Sequence, residues 1–136
     1  MSDPMNAPVR GLVEELQRLL AILNEQGRFA ASVLTDGMGL PIASAAESTM
    51  EKEGQAAVAA LVQGVAGRIR ERLNLSETDE VSFFDSSGRR LVCRLFTADG
   101  HEFVLAVMIH ERGRPYRLVT NRAVRSARQA LETRWR

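Results

Sequence analysis

Between residues 9 and 26 apolar side chains recur every three or four positions: Val9, Leu12, Val13, Leu16, Leu19, Leu20 and Leu23. Glu14, Glu15, Gln17 and Arg18 lie on the opposite side, which is the pattern of an amphipathic helix. Pro8 suits its first turn, Asn6 its cap and Gly27 its stop. The period then shortens. Residues 29–35 and 40–45 read as two strands joined by Asp36-Gly37-Met38-Gly39, with Gly37 and Gly39 expected at positive φ. Pro41 lacks an amide hydrogen, so the second strand should lie at a sheet edge or bond there only through its other face. A long helix is expected over 47–74, capped by Ser48 or Thr49. Strands at 80–85, 90–97 and 102–110 follow, linked by Ser86-Ser87-Gly88 and by the hairpin pair Asp99-Gly100. After the loop "ERGRPYR", residues 119–134 form a helix with Val119, Ala123, Val124, Ala127 and Leu131 on one face.

The order is therefore α-ββ-α-βββ-α, a single domain over 9–134 preceded by a short segment, 1–8. The run from Phe103 to Ile109 is apolar on both faces of its strand, as a central strand covered on both sides must be. The expected fold is an α/β sandwich: five antiparallel strands with helices on both faces.

The long helix has two stripes when wound at about 100° per residue. Val58, Leu61, Val62, Val65, Ile69 and Leu73 form a bulky one, expected to bury against the sheet. Ala57, Ala60, Gly64 and Gly67 form a small one, about 130° around the helix. Each internal glycine costs about 1 kcal/mol relative to alanine, so a compensating close approach by a second copy of the helix is expected. In "EVSFFD", Phe83 and Phe84 point to opposite faces, so both faces should be covered there. An edge strand at this place, with Val81 and Phe83 on one face, would leave amides and carbonyls unpaired. Antiparallel pairing with its own copy across a two-fold axis would satisfy them.

Composition narrows the function classes. Hydrophobic residues are 45% and charged residues 26%, with a net charge of +1, so no global field draws the chain to nucleic acid or anionic lipid. No apolar run reaches the ~20 residues of a membrane helix, residues 1–8 are not a signal peptide, and the lone Cys93 suits a reducing cytoplasm. Eight arginines stand in 112–136 against one acid, Glu132, but arginine supplies 17 of the 18 basic residues throughout, which points to a compositional habit. There is no G-x-x-x-x-G-K-[ST] phosphate loop. Cys93, His101 and His110 lack zinc-ligand spacing, and Ser82, His110 and Asp85 are a triad by composition only. No metal, cofactor or enzymatic activity is expected. "Gly64-Val65-Ala66-Gly67" imitates an RNA-clamping loop, yet the helical period runs through it from Val58 to Leu73. The competing class is a nucleic-acid or small-ligand module using the basic last helix or a core pocket.

The first helix, "VLTDGMGLPIASA", "GQAAVAALVQGVAGRIRERL", "RRLVCRLFTADGHEFVLAVMI" and the last helix together resemble the roadblock / dynein light chain domain, most closely its stand-alone bacterial members. The local signature is Asp36, Gly37, Gly39, Leu40, Pro41 and Ile42, continued by Ala43 and Ser44. The resemblance implies a homodimer in which strand 80–85 pairs with its twin into a ten-stranded sheet, and helix 47–74 lies beside its twin. It also implies a platform that binds a small Ras-like GTPase, as regulator or adaptor. It carries no catalytic residue onto this chain, and no tail follows the last helix of the kind some members use for extra contacts. Ala57, Ala60, Gly64, Gly67, Val81 and Phe83 fall where the dimer interface would lie. Arg68 and Arg72, at the border of the small stripe, are the arginines to test as groups presented to the GTPase.

Overall fold

The computed structural model describes residues 7–46 and 48–134. Helix α1 spans Ala7–Gly27, strands β1 and β2 span Ala31–Asp36 and Pro41–Ala45, and helix α2 spans Thr49–Leu73. Strands β3 (Glu80–Phe84), β4 (Arg90–Ala98) and β5 (His101–Ile109) precede helix α3 (Arg117–Arg134). Asn6, the expected cap of α1, and Glu47 lie outside the described residues. The strands form one antiparallel sheet in the order β2-β1-β5-β4-β3. The doubly apolar β5 is thus central, and Pro41 sits on an edge strand, as its missing donor requires.

Helices α1 and α3 share one face of the sheet. Leu12, Leu16, Leu20 and Leu23 of α1 meet Val124, Ala127 and Leu131 of α3 over Val92, Phe96, Phe103, Leu105 and Val107. Each such fully buried side chain stabilises the fold by about 1.5–3 kcal/mol. On the other face α2 seats Ala59 and Val62 on Cys93, Val104 and Ala106. Ser48 caps α2, its hydroxyl accepting from the Glu51 amide. Among the described residues no helix is long and apolar enough to cross a membrane.

The β1–β2 hairpin explains its own signature. The Asp36 carboxylate accepts the amides of Met38 and Leu40, each at 2.9 Å, so one side chain holds the whole turn. Only Gly39, at φ +85°, takes the left-handed conformation; Gly37 does not. Gly39 also lies against α2, where an added Cβ would come within 2.5 Å of the Ala60 methyl. Gly27 likewise differs from expectation. It is the last helical residue, Arg28 takes φ +56° after it, and a Cβ at Gly27 would collide with the Phe29 ring at 2.3 Å. Gly39→Ala combines backbone strain with that overlap and should cost about 2 kcal/mol. Urea unfolding measures it; a loss within 0.5 kcal/mol, the ordinary scatter of surface substitutions, would refute this account.

Candidate functional site

The exposed face of α2 is the first feature. The expectation that Val58, Leu61, Val62, Val65, Ile69 and Leu73 bury together is overturned: Val62 alone is buried and Val58 half-buried. Leu61, Val65, Ile69 and Leu73 are 69%, 45%, 46% and 66% exposed. The buried line is instead Gln55, Ala56, Ala59, Val62 and Ala66. Alanines at that position let the helix axis lie close to the sheet, over Cys93, Val104 and Ala106. The small stripe divides. Ala60 packs on Gly39 within the protomer, and Ala57 and Gly64 are exposed. A Cβ at Gly64 would meet only the Arg68 guanidinium, at 3.9 Å, and one at Gly67 would meet nothing within 4 Å. Contacts within the protomer therefore require neither glycine.

The second feature is β3. It is an edge strand, and Phe83 and Phe84 are 49% and 56% exposed, so the expected cover on both faces is missing in the protomer. Sequential pairing explains the location: β3 bonds only to β4, and α2 packs mainly over β1, β5 and β2, with a lighter contact to β4. Val81 and Phe83, opposite Cys93 and Leu91, extend the α2-side apolar surface to the open edge. The β2 edge differs from it. There Pro41 offers no amide hydrogen, and Asn24 of α1 donates to the Ala45 carbonyl at 2.8 Å.

Two hollows run along the seam between α2 and the β3–β4 margin. One, of about 480 Å³, is lined by Glu51, Gln55, Val58, Phe83, Leu91 and Met108. The other, of about 360 Å³, is lined by Gln63, Gly67, Arg70, Glu77, Thr78 and Leu95. The start of α2 therefore lies level with the end of β3, and its later turns lie level with the residues leading into β3. Helix and strand run antiparallel.

A polar cluster that sequence reading missed pins the entry to β3 onto α3. Arg94, 4% exposed, donates to Thr120 Oγ1 at 2.7 Å, Asn121 Oδ1 at 2.8 Å and Asp79 Oδ1 at 3.0 Å. Arg117 spans Asp79 and Glu80, and Glu80 also accepts from the Tyr116 hydroxyl. Burial acts to raise the carboxyls of Asp79 and Glu80. It is outweighed by hydrogen bonds and charge, from Arg94 and Arg117 at Asp79 and from Tyr116, Ser82 and Arg117 at Glu80, which hold both below their usual range. Stability from such depressed carboxyls is complete above their ordinary values and is lost as pH falls through the lowered ones. Arg117→Ala should therefore be less stable than the wild type at neutral pH, with the gap closing below about pH 4, where the carboxylates protonate and the wild type loses the Arg117 ion pairs. Thermal melts of both proteins across that range test it; a gap independent of pH would refute it. The only sign of this cluster in the sequence is an arginine inside an otherwise apolar strand.

The candidate enzymatic sets do not assemble. Ser82 donates to Glu80, while Asp85 is occupied with the Ser87 and Arg89 amides of its own turn. Among the described residues no group of His, Cys, Asp and Glu is placed to hold a metal. Cys93 is buried, and burial pushes its thiol up to about 12, which keeps it an unreactive apolar filler. Arg128 of the basic last helix reaches back to the Thr97 carbonyl and covers the Phe96 ring, as Arg117 reaches Asp79 and Glu80. Arg68 and Arg72 are exposed on α2, and Arg68 folds onto its own Gly64 carbonyl at 3.4 Å.

The sequence matches no family model and no curated protein. Its fold matches solved structures. MglB of Myxococcus xanthus superposes with a TM-score of 0.64 at 15% identity, over 89% of this chain and 87% of that one. An MglB described as having a tetrameric arrangement gives 0.69 at 16% identity, over 93% and 92%. A Roadblock/LC7 domain from Streptomyces avermitilis gives 0.62 at 16% identity, over 86% and 94%. The fold is that of the roadblock domain.

Proposed function

We propose that this chain is a non-catalytic homodimeric scaffold that binds and regulates a small Ras-like GTPase. The observation that carries the dimer is that Leu61, Val65 and Ile69 of α2 and Phe83 of the open edge strand β3 are all exposed apolar side chains. Exposed apolar patches of this kind mark protein–protein contacts, and an open edge strand is a template for another strand. Antiparallel pairing of β3 with its copy builds a ten-stranded sheet and satisfies the free backbone groups of both. The two α2 helices then flank the axis on one face, with Ala57, Gly64 and Gly67 letting the backbones come close, while Ala60 serves the hairpin. The GTPase as partner class rests on the roadblock fold and on the resemblance of the whole chain to bacterial stand-alone members, among which MglB is the structural likeness.

Light scattering of the purified protein, followed by mixing with a Ras-like GTPase loaded in turn with GTP and GDP, tests this reading. A dimer mass, co-elution with one nucleotide state and a changed single-turnover rate of GTP hydrolysis are the expected results. A monomer removes the scaffold. A dimer that ignores the GTPase but is retained on nucleic acid, with affinity falling steeply in salt, would instead favour the basic last helix as the binding element.

A further inference from the structure

Helices α1 and α3 leave a groove of about 500 Å³ between them, on the face of the sheet opposite α2. Its floor is apolar: Leu19, Ile22 and Leu23 from α1, Val119 and Ala123 from α3. Leu23 and Ala123 belong to the core beneath, Leu19 and Val119 are half-buried against it, and Ile22 is 52% exposed. Arg18 and Arg122 line the walls. Elsewhere on α3, Arg117 and Arg128 turn back onto the protein, to Asp79 and Glu80 and to the Thr97 carbonyl. Arg18 and Arg122 do not: both are exposed, and neither makes an ion pair or a side-chain hydrogen bond among the described residues. The one carboxylate lining the groove, Glu15, already has an interaction within the chain. Two uncommitted guanidinium groups thus stand over an apolar floor.

Residues 15–26 of α1 rise about 16 Å, so the groove is about three helical turns long. A recess of that length between two helices takes the apolar stripe of a third, and guanidinium walls take carboxylates that flank the stripe. We infer that the α1–α3 groove docks a partner protein through an acidic amphipathic helix of about three turns. The helix seats its apolar residues, spaced i, i+3 or i+4 and i+7, on Leu19, Ile22 and Val119. Its flanking carboxylates pair with Arg18 and Arg122. The floor separates this occupant from others that attract arginine. A phosphate backbone is held by cations and gains nothing from covering Ile22 and Val119. A membrane surface takes apolar groups that protrude, and Leu23 and Ala123 are recessed between two helices. The groove lies across the sheet from the surface proposed for the homodimer, so the inference stands for a dimer and for a monomer alike.

Two labelled helical peptides of about 15 residues test it, each titrated with the protein and read by fluorescence anisotropy. Both carry leucine at the stripe positions; one has glutamate and the other lysine on the flanks. The proteins are the wild type, Ile22→Asn and the double variant Arg18→Glu/Arg122→Glu, with far-UV circular dichroism to check that the helices are intact. Wild type should bind the acidic peptide at least about tenfold more tightly than the basic one, and the double variant should reverse that order. Ile22→Asn should weaken the acidic peptide at least about tenfold, because it removes the apolar seat and keeps both arginines. Equal affinity for the two peptides, an order that charge reversal leaves unchanged, or binding indifferent to Ile22→Asn would overturn the inference. So would a wild type that ignores the acidic peptide and binds duplex DNA or phosphatidylglycerol vesicles through Arg18 and Arg122.

Discussion

Val65→Glu should convert the proposed dimer into a monomer, with the dissociation constant rising at least about 100-fold. Val65 is half-exposed in the protomer, so a glutamate there stays hydrated and the fold survives. In the proposed dimer the same carboxylate would sit among Leu61, Ile69 and the copy's equivalents, where the cost of taking it out of water opposes association. Leu118→Glu is the control: Leu118 is 75% exposed, also apolar, but belongs to α3 on the far side of the sheet, and its substitution should leave the mass unchanged. Gly64→Leu adds a second probe. The open space around its Cβ means a leucine fits the isolated protomer, so any loss of dimer reports on the helix–helix contact alone. Light scattering over a dilution series reads all three. A Val65→Glu protein that stays dimeric at the wild-type dilution would place the interface elsewhere.

Arg94→Ala should cost about 2–3 kcal/mol of folding stability. The side chain is almost wholly buried and makes three hydrogen bonds to Asp79, Thr120 and Asn121. Its removal leaves a cavity and takes the donor from the buried Thr120 hydroxyl and the half-buried Asn121 oxygen. The loss stays at the low end for a buried ion pair because Asp79 is 61% exposed at its side chain and keeps Arg117. Arg94→Met should lose less, since the methionine refills the volume of the arginine stem. Denaturant unfolding distinguishes the two. Equal losses would mean that the charge pairs, and not the packing, carry the effect; a loss under 1 kcal/mol, the worth of an ordinary surface ion pair, would mean the cluster does not hold β3 to α3.

Much of this protein is legible from local rules. Leu12, Leu16, Leu20 and Leu23 mark the buried side of α1 because a helix repeats its face every three to four residues. Asp36 and Asp85 mark their turns because a short carboxylate reaches amides two to four residues ahead. Pro41 marks an edge because it has no proton to give, and the run Phe103–Ile109 marks the centre because nothing in it tolerates water on either face. Those interactions close within a few residues, so the sequence by itself determines the elements, their order and the antiparallel sheet.

What only the tertiary structure decided involves partners far apart along the chain. Helix α2 carries two stripes in the sequence, and hydrophobicity favours burying the bulky one. The sheet opposite it presents Cys93, Val104 and Ala106, and close packing of the helix axis on that surface buries Ala56, Ala59, Val62 and Ala66. Leu61, Val65 and Ile69 are thereby turned outward, and a stripe that looked like core becomes exposed surface. Arg94 reads as a solvated charge until Asp79, Thr120 and Asn121 converge on it from two other segments. The groove that α1 and α3 form together cannot be seen at all in a one-dimensional pattern. Burial is a property of what lies across the gap, and the sequence of one element does not contain its neighbour.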